Sequence, residues 1–140
     1  MRIRVDPHSL VPPSQQLVAA VLDAIASGEL QPGDKLPSVR GLAALALVNP
    51  NTVTKAYRDL EHLGASEGRN GSGVFVTAGG PAVSRAIRLA ETLETFRDAA
   101  LHAIRAGHDE QTLETVLAEA RSGDGEGKAV VAARAARKKA

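Results

Sequence analysis

Asn49, Asn51, Thr52, Thr54, Lys55 and Arg58 fall within ten consecutive residues, and Arg40 lies nine residues before the first of them. Each is a hydrogen-bond donor or a cation. An Asn amide pairs a donor and an acceptor that match the polar edge of adenine, and Thr hydroxyls and basic side chains suit base edges and phosphate oxygens. This set does recognition chemistry rather than bond-making. The rest of the sequence supports that division. It contains no cysteine, so thiolate metal sites, disulfides and cysteine nucleophiles are excluded. No Ser/His/Asp spacing stands out. His102, His108 and Asp109 flank a helix end, where polar termination explains them as well as a metal would. Gly71-Ser72-Gly73 is too short for a phosphate loop and has no helix behind it.

Two closely spaced helix starts must position these groups. Ser38 can accept a hydrogen bond from an orphan N–H of the turn that follows it. Asn49-Pro50 is the second start, with a favoured cap followed by the residue favoured at the first helical position. The first helix is short and apolar, with Val39, Leu42, Ala43 and Ala46 on one side, and ends at Leu47-Val48. The second carries Val53, Ala56, Tyr57, Leu60 and Leu63 at helical spacing, while Asn51, Thr52, Lys55 and Arg58 lie opposite. A short helix, a tight turn and a longer helix with one core face and one free polar face predict a helix-turn-helix.

Arg40 follows the Ser38 cap by two residues. A cation there opposes the helix dipole, so a phosphate or guanine contact would account for it. Asn49 is explained by capping alone, by contact with a partner, or by both. Thr54 and Lys55 lie on the exposed side, and Arg58 one turn on suits phosphate. For Lys55 and Arg58 a plain solvated face is the alternative.

Around this pair, Ile3 and Val5 alternate as a short strand, and Ser14 reads as the cap of a first helix with the stripe Leu17, Val18, Val21, Leu22, Ile25 and a stop at Gly28. Gln31 to Asp34 is a turn, and Lys35-Leu36 can form a very short strand. Residues 65–76 read as a hairpin with Arg69, Asn70 and Gly71 at or near its tip, placed for minor-groove or phosphate contact. Ala78-Gly79-Gly80-Pro81 reads as a linker. Beyond it, residues 82–106 form a long helix and Asp109 can cap a second. The apolar positions Val83, Ile87, Ala90, Leu93, Phe96, Leu101, Ile104, Leu113, Val116 and Leu117 are candidate dimerisation residues, because two helices make no core alone and must pack on the preceding domain or on a second copy. Residues 122–140 form a basic, Ala-rich, low-complexity end, readable as a frayed helix, a phosphate-attracting arm or a solvated tail.

The chain has 140 residues with a formal net charge of +1, so any basic surface must be local. Two Phe, one Tyr and no Trp leave little for base stacking, which argues against single-strand or RNA-loop recognition. No apolar run approaches the roughly 18 residues of a membrane span, and no secretory h-region opens the sequence. A cytoplasmic protein without cofactor or membrane partner is the expectation.

The run Gly28-Glu29-Leu30-Gln31-Pro32-Gly33-Asp34-Lys35-Leu36-Pro37-Ser38-Val39-Arg40, followed by Val48-Asn49-Pro50-Asn51-Thr52-Val53-Thr54-Lys55-Ala56-Tyr57, closely resembles the GntR family of bacterial transcription regulators, and within it the YtrA-type branch with its short helical tail. The resemblance implies a mainly α fold, a winged helix-turn-helix over residues 1–77 with a small β wing, a dimerisation tail over 78–121, and then the basic end at 122–140. It also implies a homodimeric repressor on a palindromic double-stranded operator, with Ser38, Arg40, Asn49, Asn51, Thr52, Thr54, Lys55, Arg58, Arg69, Asn70 and Gly71 on DNA. A winged-helix adaptor that binds protein instead of DNA, and a ligand-gated regulator with an unidentified effector, are the competing readings. Three places depart from the family pattern. Gly41 stands where Glu would complete a capping box, Pro12-Pro13-Ser14 replaces an aromatic entry, and Ala65-Ser66 replaces an apolar pair, which predicts a softer helix start and a loosely attached wing.

Overall fold

The computed structural model describes residues 3–123. The basic end, from residue 124 on, lies outside them. The elements run α1 (Pro13–Ala26), α2 (Val39–Ala46), α3 (Pro50–His62), β1 (Ser66–Arg69), β2 (Gly73–Val76), α4 (Gly80–Arg105) and α5 (Glu110–Ser122). The fold is mainly α with one antiparallel hairpin, as the sequence predicts. It divides into two compact units, with the boundary inside α4 between Thr92 and Leu93.

In the first unit, α3 packs on α1 and α2. Leu17, Leu22, Leu42, Val53 and Leu60 are fully buried between them, and Ile25 and Val21 nearly so. Ser14 is not the cap of α1. Pro12 occupies that position in an extended conformation with no side-chain cap, Pro13 is the first helical residue, and Ser14 is buried inside the first turn. A proline at the first helical position lacks only an N–H that would be unpaired anyway.

Ile3 and Val5 form no strand either. They lie outside any regular element, half-buried against the core. Gln16 anchors this arm in place of ladder bonds: its amide donates to the Asp6 carbonyl (3.0 Å) and the Val11 carbonyl (2.8 Å), and its Oε1 accepts from the Asp6 N–H (2.8 Å).

The wing pairs Ser66 with Val76 through to Arg69 with Gly73, joined by a three-residue loop, 70–72. The segment before α2 joins as a third, minimal strand. Lys35 bridges to Phe75, the Leu36 N–H donates to the Val74 carbonyl (2.8 Å) and the Val76 N–H to the Asp34 carbonyl (2.9 Å). Leu36 therefore points inward (2% exposed) and Lys35 outward, the period-two alternation of a strand.

The wing base is buried. Ala65 is fully buried and Ser66 is 2% exposed. The next element approaches the backbone here: a Cβ on Gly80 would lie 2.9 Å from the Ala65 carbonyl oxygen, so only glycine allows α4 to start there. The Thr77 hydroxyl donates to the Gly64 carbonyl (2.6 Å), and the Thr77 N–H donates to the Ala65 carbonyl (3.2 Å). Of the expected linker at 78–81, Ala78 and Gly79 form a turn, and Gly80 and Pro81 already open a docked helix. Ser84 is fully buried, Ile87 packs on the core, and Arg88 forms a two-pronged ion pair with Asp23 of α1 (2.6 and 3.2 Å) while also meeting Glu91 (2.8 Å).

The second unit holds the rest of α4 and α5. Gly107, at φ +99°, ends α4, and the Asp109 carboxylate caps α5 by accepting from the Thr112 N–H (2.8 Å). The Thr112 hydroxyl and amide hold Asp109 below the usual carboxylate range. Phe96, Ile104, Leu113 and Leu117 line an open groove of about 450 Å³ between the two helices. Leu93, Phe96, Ile104 and Val116 are each more than half exposed.

Candidate nucleic-acid interface

The start of α2 is built by Ser38, whose Oγ accepts from the Gly41 N–H (3.0 Å). The reciprocal half of a capping box is absent, and a Cβ at position 41 would lie 3.0 Å from that same Oγ. Arg40 is exposed in the first turn beyond the cap. Leu47, at φ +55°, closes α2 in the left-handed region, and the Val48 N–H returns to the Ala43 carbonyl (3.1 Å). That turn leaves one residue before the next cap, so the two helices follow each other as the sequence requires.

At the start of α3, Asn49 Oδ1 accepts from the Asn51 N–H (2.8 Å) and the Asn49 carbonyl accepts from the Thr52 N–H (2.9 Å). Asn49 is therefore a working cap. The Asn51 side-chain amide is exposed and has no hydrogen-bond partner among the described residues. Thr52 is half-buried. The Thr54 hydroxyl donates to the Pro50 carbonyl (3.2 Å). Lys55 pairs with Asp59 at 3.0 Å, the lysine side chain being 63% and the aspartate 37% exposed. Such a surface pair contributes at most about 1 kcal/mol and yields readily to a stronger anion. Arg58 is exposed and pairs with no carboxylate among the described residues.

Tyr57 ties the two helices together from beneath. Its hydroxyl donates to the Pro37 carbonyl at 2.6 Å, one residue before the α2 cap. Burial pushes its pKa up to about 12. An unfolded tyrosine ionises near 10, so the unfolded chain loses this proton first as pH rises. The contribution is complete below about pH 10 and is lost as pH climbs through 12. Tyr57→Phe is expected to cost about 0.5–1.5 kcal/mol at neutral pH by orphaning that carbonyl, and to lose less stability than the parent between pH 10 and 12. Urea titrations of both proteins at pH 7 and across that alkaline range check it. Parallel alkaline losses would remove Tyr57 as the titrating group.

The wing holds Arg69 differently from the sequence expectation. Its guanidinium bonds Glu67 (2.9 and 3.2 Å) and lies 4.5 Å from the Phe75 ring centroid. The arginine is thus laid back along the strands, because a nearby carboxylate and aromatic face offer it partners that the loop does not. Asn70 and Gly71 stay exposed in the loop. The loop and the start of α2 meet: Lys35, Ser38, Gly71, Ser72 and Gly73 line one cleft of about 340 Å³. Lys35 escaped the sequence reading because a lone lysine beside a turn has no periodic signal. The inward side chain of Leu36 was the clue to its outward direction.

The arrangement is two short-coupled helices, the second with a free amide and a free arginine on its exposed side, and a wing beside the first. A family model described as bacterial regulatory proteins, gntR family, matches residues 13–76, which span α1 to the end of the wing. The chain is 43% identical over 75 residues to the HTH-type transcriptional repressor YtrA of Bacillus subtilis, a match covering 54% of this chain and 58% of that protein. It spans less than two thirds of the length of the curated relatives it matches. Among solved structures, a transcriptional antiterminator from Listeria monocytogenes superposes with TM-score 0.64 at 31% identity, covering 88% of this chain and 91% of that one. YtrA from Sulfolobus acidocaldarius, a GntR-family transcription factor, superposes with TM-score 0.53 at 33% identity, covering 67% of this chain and 99% of that one. The relatives are regulators of transcription rather than enzymes, and on the matching motifs, fold and extent the chain belongs to the GntR family of bacterial regulatory proteins.

Proposed function

We propose that this chain binds double-stranded DNA sequence-specifically and represses transcription as a homodimer on a palindromic operator in the cytoplasm. The observation that carries the reading is the Asn51 amide, exposed at the start of α3 and free of any partner among the described residues. Asn49, Thr52, Thr54 and Lys55 surround it, Ser38 and Arg40 extend the contact along α2, and Arg69, Asn70 and Gly71 extend it along the wing. Repression follows the likeness to the Bacillus YtrA repressor. Residues 1–77 serve as the DNA-binding domain, 78–121 as the dimerisation tail and 122–140 as a basic appendage. The half-exposed Leu93, Phe96, Ile104 and Val116 support pairing of the tail, with Leu101, Leu113 and Leu117 beside them. Val83 and Ile87 lie half-buried in the first unit, where Ile87 packs on the core, and Ala90 is exposed there. Among the described residues no helix is long and apolar enough to cross a membrane.

Fluorescence anisotropy on DNA from just upstream of the chain's own gene, against scrambled DNA across a salt series, tests the reading. Tighter binding to the upstream fragment with a steep salt slope supports it. Absence of duplex binding at low salt refutes it in favour of a protein adaptor. Gel filtration at low micromolar concentration is expected to give a dimer, and a clean monomer would remove the tail assignment. Arg58→Ala is expected to weaken binding to all duplexes alike and to reduce the salt slope by about 1. An unchanged slope would take Arg58 off the backbone.

A further inference from the structure

The cleft between the wing loop and the start of α2 is a place where the proposed DNA reading can be taken further. Lys35 forms its far wall. Its backbone is held by the bridge to Phe75, so the side chain leaves from a fixed point beside the wing. Gly73 makes room for it: a Cβ there would lie 2.7 Å from Lys35 Cε and 3.5 Å from Nζ. The lysine stem thus passes directly over Gly73, whose φ of +115° is what calls for glycine there. Its ammonium group pairs with no carboxylate among the described residues, unlike Lys55 and Arg69, which are both engaged within the chain. Across the cleft, Ser38 accepts the Gly41 N–H, and a hydroxyl that accepts keeps its own proton for donation. Gly71 and Ser72 complete the rim with little side-chain bulk. A cation, a free hydroxyl donor and an uncrowded opening of about 340 Å³ fit a tetrahedral oxyanion.

We infer that Lys35, its backbone fixed by the bridge to Phe75, and Ser38 together take one backbone phosphate of the bound duplex, so that the wing and α2 grip the same strand. The inference rests on the DNA-binding reading and adds Lys35 to it as a sequence-independent contact. The probe is a random-sequence duplex of about 30 base pairs, titrated at several salt concentrations with the full chain. Lys35→Ala is expected to bind about five- to tenfold more weakly at ~0.1 M salt, with a slope reduced by about 0.9, the weight of one released counterion. Lys35→Arg should restore both. Ser72→Glu, which leaves the lysine in place and adds a carboxylate to the same cleft, should reproduce the loss. Thermal unfolding of all three is expected to match the parent. Lys35→Ala binding like the parent while Arg58→Ala is weakened would overturn the inference and leave the DNA reading standing. Failure of the parent itself to bind the duplex would overturn both.

Discussion

Leu60→Ala is expected to remove about 2–5 kcal/mol of folding stability, a large share of the roughly 5–15 kcal/mol that a domain possesses. Leu60 is fully buried in the core cluster that α3 shares with α1 and α2. Truncation removes its transfer free energy and also leaves a cavity. The neighbours Leu17, Leu22 and Val53 are themselves fully buried and close-packed, so they can relax only in part. Aromatic bulk is scarce: of the aromatic residues only Tyr57 belongs to the buried core, and its hydroxyl is bonded to Pro37. The aliphatic positions therefore carry most of the packing. Leu89→Ala is the matched comparison. Leu89 is 71% exposed, and its change should stay within about 0.5 kcal/mol. Urea unfolding measures both. A Leu60→Ala loss under about 1 kcal/mol would mean that the α1–α3 packing is not the main support of α3. DNA binding by Leu60→Ala should weaken only as far as the unfolded fraction grows, since the contact face is untouched.

Asn51→Ala is expected to do the reverse: to leave stability intact and remove discrimination. The side-chain amide of Asn51 has no partner to lose among the described residues, and alanine is the better helix former, so the melting temperature should hold or rise. A two-pronged bond to one adenine contributes about 1–3 kcal/mol of discrimination. The ratio of operator to scrambled-DNA affinity should fall by about 5–150-fold, with non-specific affinity unchanged. Asn49→Ala separates the two roles. Asn49 Oδ1 caps the helix, so its loss should cost about 0.5–2 kcal/mol of stability. Discrimination that survives Asn51→Ala would remove that residue from base reading, and an equal stability loss in both variants would mean that the first turn acts as one structural unit.

The sequence by itself determined the caps of α2, α3 and α5 and the core stripe of α3. Capping and periodicity are local properties: Ser38, Asn49-Pro50, Asp109 and the stripe Val53, Ala56, Tyr57, Leu60 each act through neighbours within a turn or two, so the chain states them directly. Gly80 and its neighbours misled for the opposite reason. Gly-Gly-Pro reads as a hinge because glycine is permissive, yet here glycine is needed because the Ala65 carbonyl lies close by, a contact between residues fifteen apart. Arg69 looked free because the sequence cannot show that Phe75, in register across the hairpin, lies under it. Arg88 and Asp23 are 65 residues apart, and nothing in either stretch announces the pair. Local hydrogen bonding and periodicity are written in the order of residues. Contacts between residues far apart in the chain are not, and only the tertiary structure decided that the Arg69 guanidinium lies over Phe75, that Arg88 reaches Asp23 and that the Lys35 side chain lies beside Gly73, because those distances exist only once the chain is folded.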